Sequence, residues 1–127
     1  MKPITHNEAP KVIQDYFAAV NLHDLDGILA NFLDDSYVND AHREIRGITA
    51  ISAFYAKEIV DVNLVCTPVS AFEHHGEIIV SSKYDGDFDK TNLPDELILT
   101  SYFTLENDKI VSLKIINNRA SEYDEIK

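Results

Sequence analysis

Partway along the chain the spacing of apolar residues changes from a helical to a β pattern, and that change limits the folds it can adopt. From about Glu8 to Asn21, Val12, Ile13, Tyr16, Phe17 and Val20 fall on one helical face. Asp24 stands where an N-cap is needed for a second, shorter helix, whose inward face carries Leu25, Ile28, Leu29 and Phe32. "DDSYVND" then reads as a short strand. After Gly47, residues Ile48, Ile51, Phe54, Tyr55 and Ile59 recur at helical spacing to about Val60. Beyond that point the period shortens. "VNLVCTPVSAFEHH", "EIIVSSKYDGDF", "ELILTSYFTLE" and "IVSLKIINN" are rich in β-branched residues and are separated by turn signals at Gly76, at Thr91 to Pro94 and at "NDK". Pro68 marks an edge or a bulge, because it has no N–H to give a sheet. Helices followed by a meander of strands specify an α+β fold, with the helices on one face of a curved antiparallel sheet. The charged tail "RASEYDEIK" is expected to fray.

The chain has 127 residues, enough for one domain spanning 1–127 that buries about two-thirds of its unfolded surface. Acidic residues outnumber basic ones 22 to 11, and the formal charge of −11 repels phosphate backbones and anionic lipid. Nucleic acid and membranes are therefore poor partners. No apolar run approaches the roughly 20 residues of a membrane span, and the N-terminus carries no apolar signal-peptide core. Cys66 is the single cysteine, which excludes an internal disulfide and a cysteine metal cluster. A reducing cytoplasm is the expected location.

The excess of carboxylates makes most of them solvated surface groups, so any functional one needs a positional argument. Asp40 has one. It closes the strand "DDSYVND" and opens a dense polar run, Asp40 to Arg46, ahead of Gly47. If that strand end faces the interior, Asp40 lies at the mouth of a pocket, and a carboxylate sheltered by apolar walls is a stronger base than one in water. The plainer reading is a strand-end aspartate that caps backbone or pairs with Arg43 or Arg46. His42, two residues on, shares a face with Asp40 if the strand continues; otherwise it is a polar rim residue. Tyr16 lies on the inward face of the first helix, and Tyr55 on the third is placed to meet its hydroxyl.

The segment "VIQDYFAAVNLHDLDGILANFLDDSYVND…RGITAISAFYA" resembles the opening of the nuclear transport factor 2-like superfamily, in its SnoaL-like polyketide cyclase and ketosteroid isomerase branch. The likeness rests on an aromatic first helix, "DLDGI" starting the second, "F-x-D-D" entering the first strand and "G-x-x-AI-x-F" opening the third helix. It covers about residues 8 to 118 and is sharp over the first half. The resemblance implies a cone-shaped half-barrel, with three N-terminal helices closing a pocket against a bent, mostly antiparallel sheet, and a homodimer. It also implies Asp40 as general base and Tyr16 as hydrogen-bond donor to a developing oxyanion. One position departs from the pattern. Where ketosteroid isomerases carry a protonated aspartate this chain has Ser101, a weaker partner for an enolate. The stretch from Asp40 to Gly47 is also shorter and more polar than in those enzymes.

Two patterns imitate metal sites. "DGDFDKTNLPDE" sets Asp85, Asp87, Asp89 and Glu96 at calcium-loop spacing, but Lys90 stands where the loop needs glycine and the flanks read as strands. His74 and His75 adjoin a turn glycine and are expected to face solvent. Neither supports a metal, and proton transfer by a carboxylate needs no cofactor. The resemblance, taken with these residues, implies a small apolar or carbonyl-containing ligand held in the cone, with isomerase-, cyclase- or dehydratase-type proton transfer. Asp40, Tyr16 and His42 would do the chemistry, while Phe32, Phe54, Tyr55, Tyr84, Ser101 and Phe103 would touch the ligand. The alternative is a non-catalytic ligand-binding or dimerisation module. An interior filled by its aromatic side chains would favour the module, and an open cavity with Asp40 and His42 on its wall would favour the enzyme.

Overall fold

The computed structural model describes residues 1–117; the charged tail lies outside them. Seven strands, β1 (Lys2–Ile4), β2 (Phe32–Asp40), β3 (Arg43–Arg46), β4 (Val65–His74), β5 (Glu77–Asp85), β6 (Leu97–Glu106) and β7 (Lys109–Asn117), form one sheet in the order β1-β4-β5-β6-β7-β2-β3. Every pairing is antiparallel except β2 with β7. The sheet is curved and unclosed, and register shifts in β2, in β4 and in β7 where it pairs with β6 mark the irregularities that allow a sheet to bend. The shift in β4 falls between Pro68 and Ser70, where proline removes a ladder donor. No helix of the described residues is long and apolar enough to cross a membrane.

Three helices pack on one face of the sheet: α1 (Lys11–Asn21), α2 (Leu25–Leu29) and α3 (Ile48–Tyr55). Helix α1 buries Val12, Ile13, Tyr16, Phe17, Ala19 and Val20, as its periodicity requires. It begins at Lys11, not at Glu8, because Pro10 keeps an extended ψ of 146° and interrupts the turn before it. Thr5 and Glu8 instead close a separate short 3-10 turn through a reciprocal capping box. Asp24 caps α2 by accepting from Gly27 N at 3.1 Å. A Cβ at Gly27 would lie 2.4 Å from that carboxylate, so the cap and a side chain cannot coexist there.

Helix α2 is shorter than the pattern suggests, and Phe32 is the first residue of β2 rather than the last of the helix. Asn31 causes the stop. Its side-chain amide donates to the Gly27 carbonyl at 2.9 Å, and its own carbonyl accepts from Ile110 N at 2.8 Å. The polar run after Asp40 is a second departure. Ala41 and His42 both take positive φ, 49° and 74°, which forms the tight turn of a hairpin. Arg43–Arg46 then returns as edge strand β3, with Asp40 opposite Arg43 and Tyr37 opposite Arg46. Gly47, at φ 85°, frees the chain to enter α3. The third helix does reach Val60, but its last stretch, Ala56–Val60, is a π-helical turn. Strand β1, only three residues with a proline among them, lies against Ala71 to Glu73 of β4 and gave no sequence signal.

The core gathers between helices and sheet, with Ile28, Ile51, Tyr55, Phe103, Ile110 and Leu113 fully buried. Asn21 ties the end of α1 to the sheet: its side chain donates to Cys66 O at 2.9 Å and accepts from Cys66 N at 2.8 Å. The His23 ring meets Leu64 O at 2.8 Å beside it. These bonds set the spacing between helix α1 and strand β4 along one wall of the cavity described next.

Candidate functional site

Between the helices and the sheet lies a cavity of about 290 Å³. Tyr16 and Val20 of α1 form one wall; Phe54, Tyr55, Glu58 and Ile59 of α3 and its π-helical turn form another. The sheet contributes Asp40, Arg43, Cys66, Tyr84, Leu99 and Ile115. Phe88 and Leu93 reach in from the long β5–β6 connection. The lining is predominantly apolar, with few polar groups, as small-molecule sites commonly are.

Its polar groups fall into two sets. In the interior, the hydroxyls of Tyr16 and Tyr55 meet at 2.8 Å. Both rings are buried, and burial is the main reason that both phenols are pushed well above their usual pKa; the Asp40 charge acts in the same direction. The two hydroxyls therefore stay protonated at neutral pH. Their mutual bond uses one of two protons, which leaves the other as a donor for a ligand oxygen. Tyr84 is also raised, by burial first, while part of its surface remains open to the cavity. Burial raises the Cys66 thiol to about 11, so it is an unreactive neutral group at pH 7.

At the mouth, Asp40 pairs with Arg43, and Arg43 donates its other terminal nitrogen to Glu58 at 2.8 Å. The Arg43 guanidinium also lies 5.6 Å from the centre of the Phe54 ring. Donating to Asp40 first, and then to Glu58, raises the already high pKa of Arg43, which remains a cation throughout. The Asp40 side chain is 20% exposed, whereas that of Arg43 is 57% exposed. Asp40 thus stands on the cavity wall with its charge balanced from the solvent side, and the pairing with Arg43 foreseen as its plainer role is present as well.

Of the residues singled out from the sequence, Asp40, Tyr16, Phe54, Tyr55 and Tyr84 come together around this cavity. Four do not. Strand β2 ends at Asp40, so the alternation that would set His42 beside it fails. His42 sits exposed in the turn and borders a separate hollow with Asn39 and Lys114. Phe32 and Phe103 lie behind the cavity wall, in edge-on contact with Tyr16 at 6.1 and 5.3 Å between ring centres. Ser101 does share a face with Phe103, but of that strand the cavity reaches only Leu97 and Leu99. The Ser101 hydroxyl is fully buried and makes no hydrogen bond of normal geometry, although it is close enough to Tyr84 to oppose the rise in that phenol's pKa.

Sequence reasoning missed Glu58, Ile59, Val62, Phe88 and Leu93. Ile59 and Val62 extend the helical spacing of α3, and Phe88 and Leu93 are lone apolar residues in a polar loop, a signal that was legible. Glu58 gave none, since a charged residue on a helix is ordinarily solvated. In the calcium-like stretch the four carboxylates at loop spacing have separate partners: Asp85 pairs with Lys90 at 2.7 Å, Asp87 accepts from Asn63 at 2.9 Å, Asp89 accepts from Thr91 N at 2.9 Å and Glu96 lies 4.0 Å from Lys83. Among the described residues no three metal-ligating side chains converge, and His74 and His75 lie at the exposed β4–β5 turn.

Comparison with solved structures gives the same fold repeatedly. A provisionally named polyketide cyclase from Sinorhizobium meliloti superposes with a TM-score of 0.78 at 23% identity, covering 88% of this chain and 99% of that one. A Mycobacterium tuberculosis protein in complex with estradiol-17β-hemisuccinate gives 0.73 at 19% identity, over 88% and 93%. A Catenulispora acidiphila protein with a ketosteroid isomerase-like fold, in complex with trimethylamine, gives 0.70 at 17% identity, over 84% and 85%. The family model of the SnoaL-like domain matches residues 13–113, most of the chain. The protein therefore belongs to the SnoaL-like domain family of the nuclear transport factor 2-like superfamily.

Proposed function

We propose that this protein binds a small, largely apolar, carbonyl-bearing molecule in the cavity, with Asp40 moving a proton on and off the carbon beside the carbonyl. One observation carries the reading: a carboxylate and a protonated tyrosine pair lie on the wall of the same apolar cavity. The Asp40 carboxylate takes the proton, negative charge moves to the carbonyl oxygen as an enolate forms, and the Tyr16–Tyr55 pair donates to that oxygen. Return of the proton to a different atom completes an isomerisation; where the next carbon bears a hydroxyl, the enolate re-forms the carbonyl as that C–O bond breaks, and the hydroxyl leaves as water with the proton that Asp40 took, which is a dehydration. Solved structures of the same fold hold small molecules, which supports the binding half of this reading. A homodimer is part of the same reading, checked by light scattering of the purified chain.

The test is exchange of the acidic protons of β-tetralone in deuterated buffer, followed by NMR. The wild-type protein should accelerate exchange and Asp40→Asn should abolish the acceleration with folding intact; equal rates in the two would remove Asp40 from the mechanism. A second reading, ligand binding without chemistry, is favoured by one observation: Arg43 already holds the Asp40 carboxylate. Saturable binding of β-tetralone with no acceleration would select it.

A further inference from the structure

We propose that Glu58 sets the charge selectivity of the cavity. By sharing the Arg43 guanidinium with Asp40, it makes the mouth refuse carboxylate-bearing ligands and admit uncharged ones. The inference rests on the ligand-binding reading above and names the class of ligand that reading leaves open. Arg43 is the one cationic side chain among the described residues that line the cavity. An anionic ligand would seek it, yet both of its terminal nitrogens already hold a carboxylate, Asp40 on one and Glu58 at 2.8 Å on the other. The nearby Phe54 ring, at 5.6 Å, offers a cation its π-face and an anion nothing.

Charge counting points the same way. Two carboxylates against one guanidinium leave this rim at −1, on a chain whose formal charge is −11. A ligand carboxylate reaches Arg43 only by displacing one of its partners. Asp40 is enclosed by the wall, with 20% of its side chain exposed, and displacing it from Arg43 would leave a half-buried carboxylate without its counter-charge. Glu58 is the freer of the two, with 36% of its side chain exposed, and it is carried on the π-helical turn Ala56–Val60 that borders the mouth. It is therefore the residue whose removal would free the cation.

A matched pair of probes tests this: 2-acetonaphthone, which is neutral, and 6-acetyl-2-naphthoate, which adds only a carboxylate at the far end of the same ring system. Affinities are measured by calorimetric titration at pH 7.5. The wild-type protein should prefer the neutral probe by about tenfold or more, the scale of one partly screened charge contact. Glu58→Gln should erase or invert the preference, Glu58→Asp should restore it, and Arg43→Gln should widen it. Opposite shifts from two members of one ion cluster are not what loss of a structural contact produces. Equal binding of both probes by the wild-type protein, or an unchanged ratio in Glu58→Gln, would overturn the inference alone. Binding of neither probe would overturn the ligand-binding reading and this inference with it.

Discussion

The two ends of the cavity are built on opposite principles. Behind the inner wall, Tyr16, Phe17, Phe32, Tyr55 and Phe103 meet edge to face, or tilted between Phe32 and Tyr55, with ring centres 5.1 to 6.1 Å apart, and their one polar feature is a shared hydroxyl bond. At the mouth, Asp40, Arg43 and Glu58 are held by charge and stand partly in water. Packing energy grows with buried area, whereas exposed ion pairs contribute little. The inner end therefore carries the stability, and the mouth can change its chemistry at small cost to the fold.

The sharpest break in that comparison is a cavity cut into the inner end. Phe103→Ala should cost about 3–5 kcal/mol in urea unfolding, since Phe103 is fully buried. A loss below about 1 kcal/mol would show that the aromatic cluster is not the stabilising region. Asp40→Asn should do the reverse, lowering the rate of β-tetralone exchange by a hundredfold or more with a small change in unfolding free energy. Tyr16→Phe lies between the two. It leaves the Tyr55 hydroxyl buried without its partner, for a loss of about 1–3 kcal/mol in stability and weaker binding of carbonyl probes.

Alkali sharpens the same contrast. The Tyr16, Tyr55 and Tyr84 phenols and the Cys66 thiol all have folded-state pKa values raised above their ordinary 10.0 and 9.0. The folded chain then holds protons that the unfolded chain releases. Stability is complete below about pH 9 and falls as pH rises, by up to ~1.4 kcal/mol per pH unit for each group titrating only when unfolded. Cys66, which moves to about 11, should act first. Melting temperatures between pH 8 and 11 check this, and Cys66→Ala should flatten the decline between pH 9 and 10. The smallest stability effect belongs to the mouth: Arg43→Gln should change unfolding free energy by about 1 kcal/mol or less while altering ligand selectivity.

Much of this architecture was legible because its signals are local. The face of α1, the Asp24 cap, the Gly47 break and the Pro68 bulge each follow from residues within a few positions of one another. The errors share a different cause. Phe32 left the helix because Asn31 bonds both to the preceding turn and to strand β7. His42 lost its place beside Asp40 because Ala41 and His42 adopt positive φ, with the Asn39 side chain accepting from His42 N at 3.0 Å, and no glycine announced the hairpin. Ser101 lies on the foreseen face but deeper than the cavity reaches, and alternation specifies a face without specifying depth.

By itself the sequence determined the α+β order of elements, the inward faces of α1 and α3 and the position of Asp40 at a strand end, since spacing and capping act over one or two turns of chain. Only the tertiary structure decided that Arg43 and Glu58, fifteen residues apart, would close on Asp40 at the mouth of one cavity. That outcome depends on how the β2–β3 hairpin and the end of α3 pack together, and no local pattern encodes the distance between them.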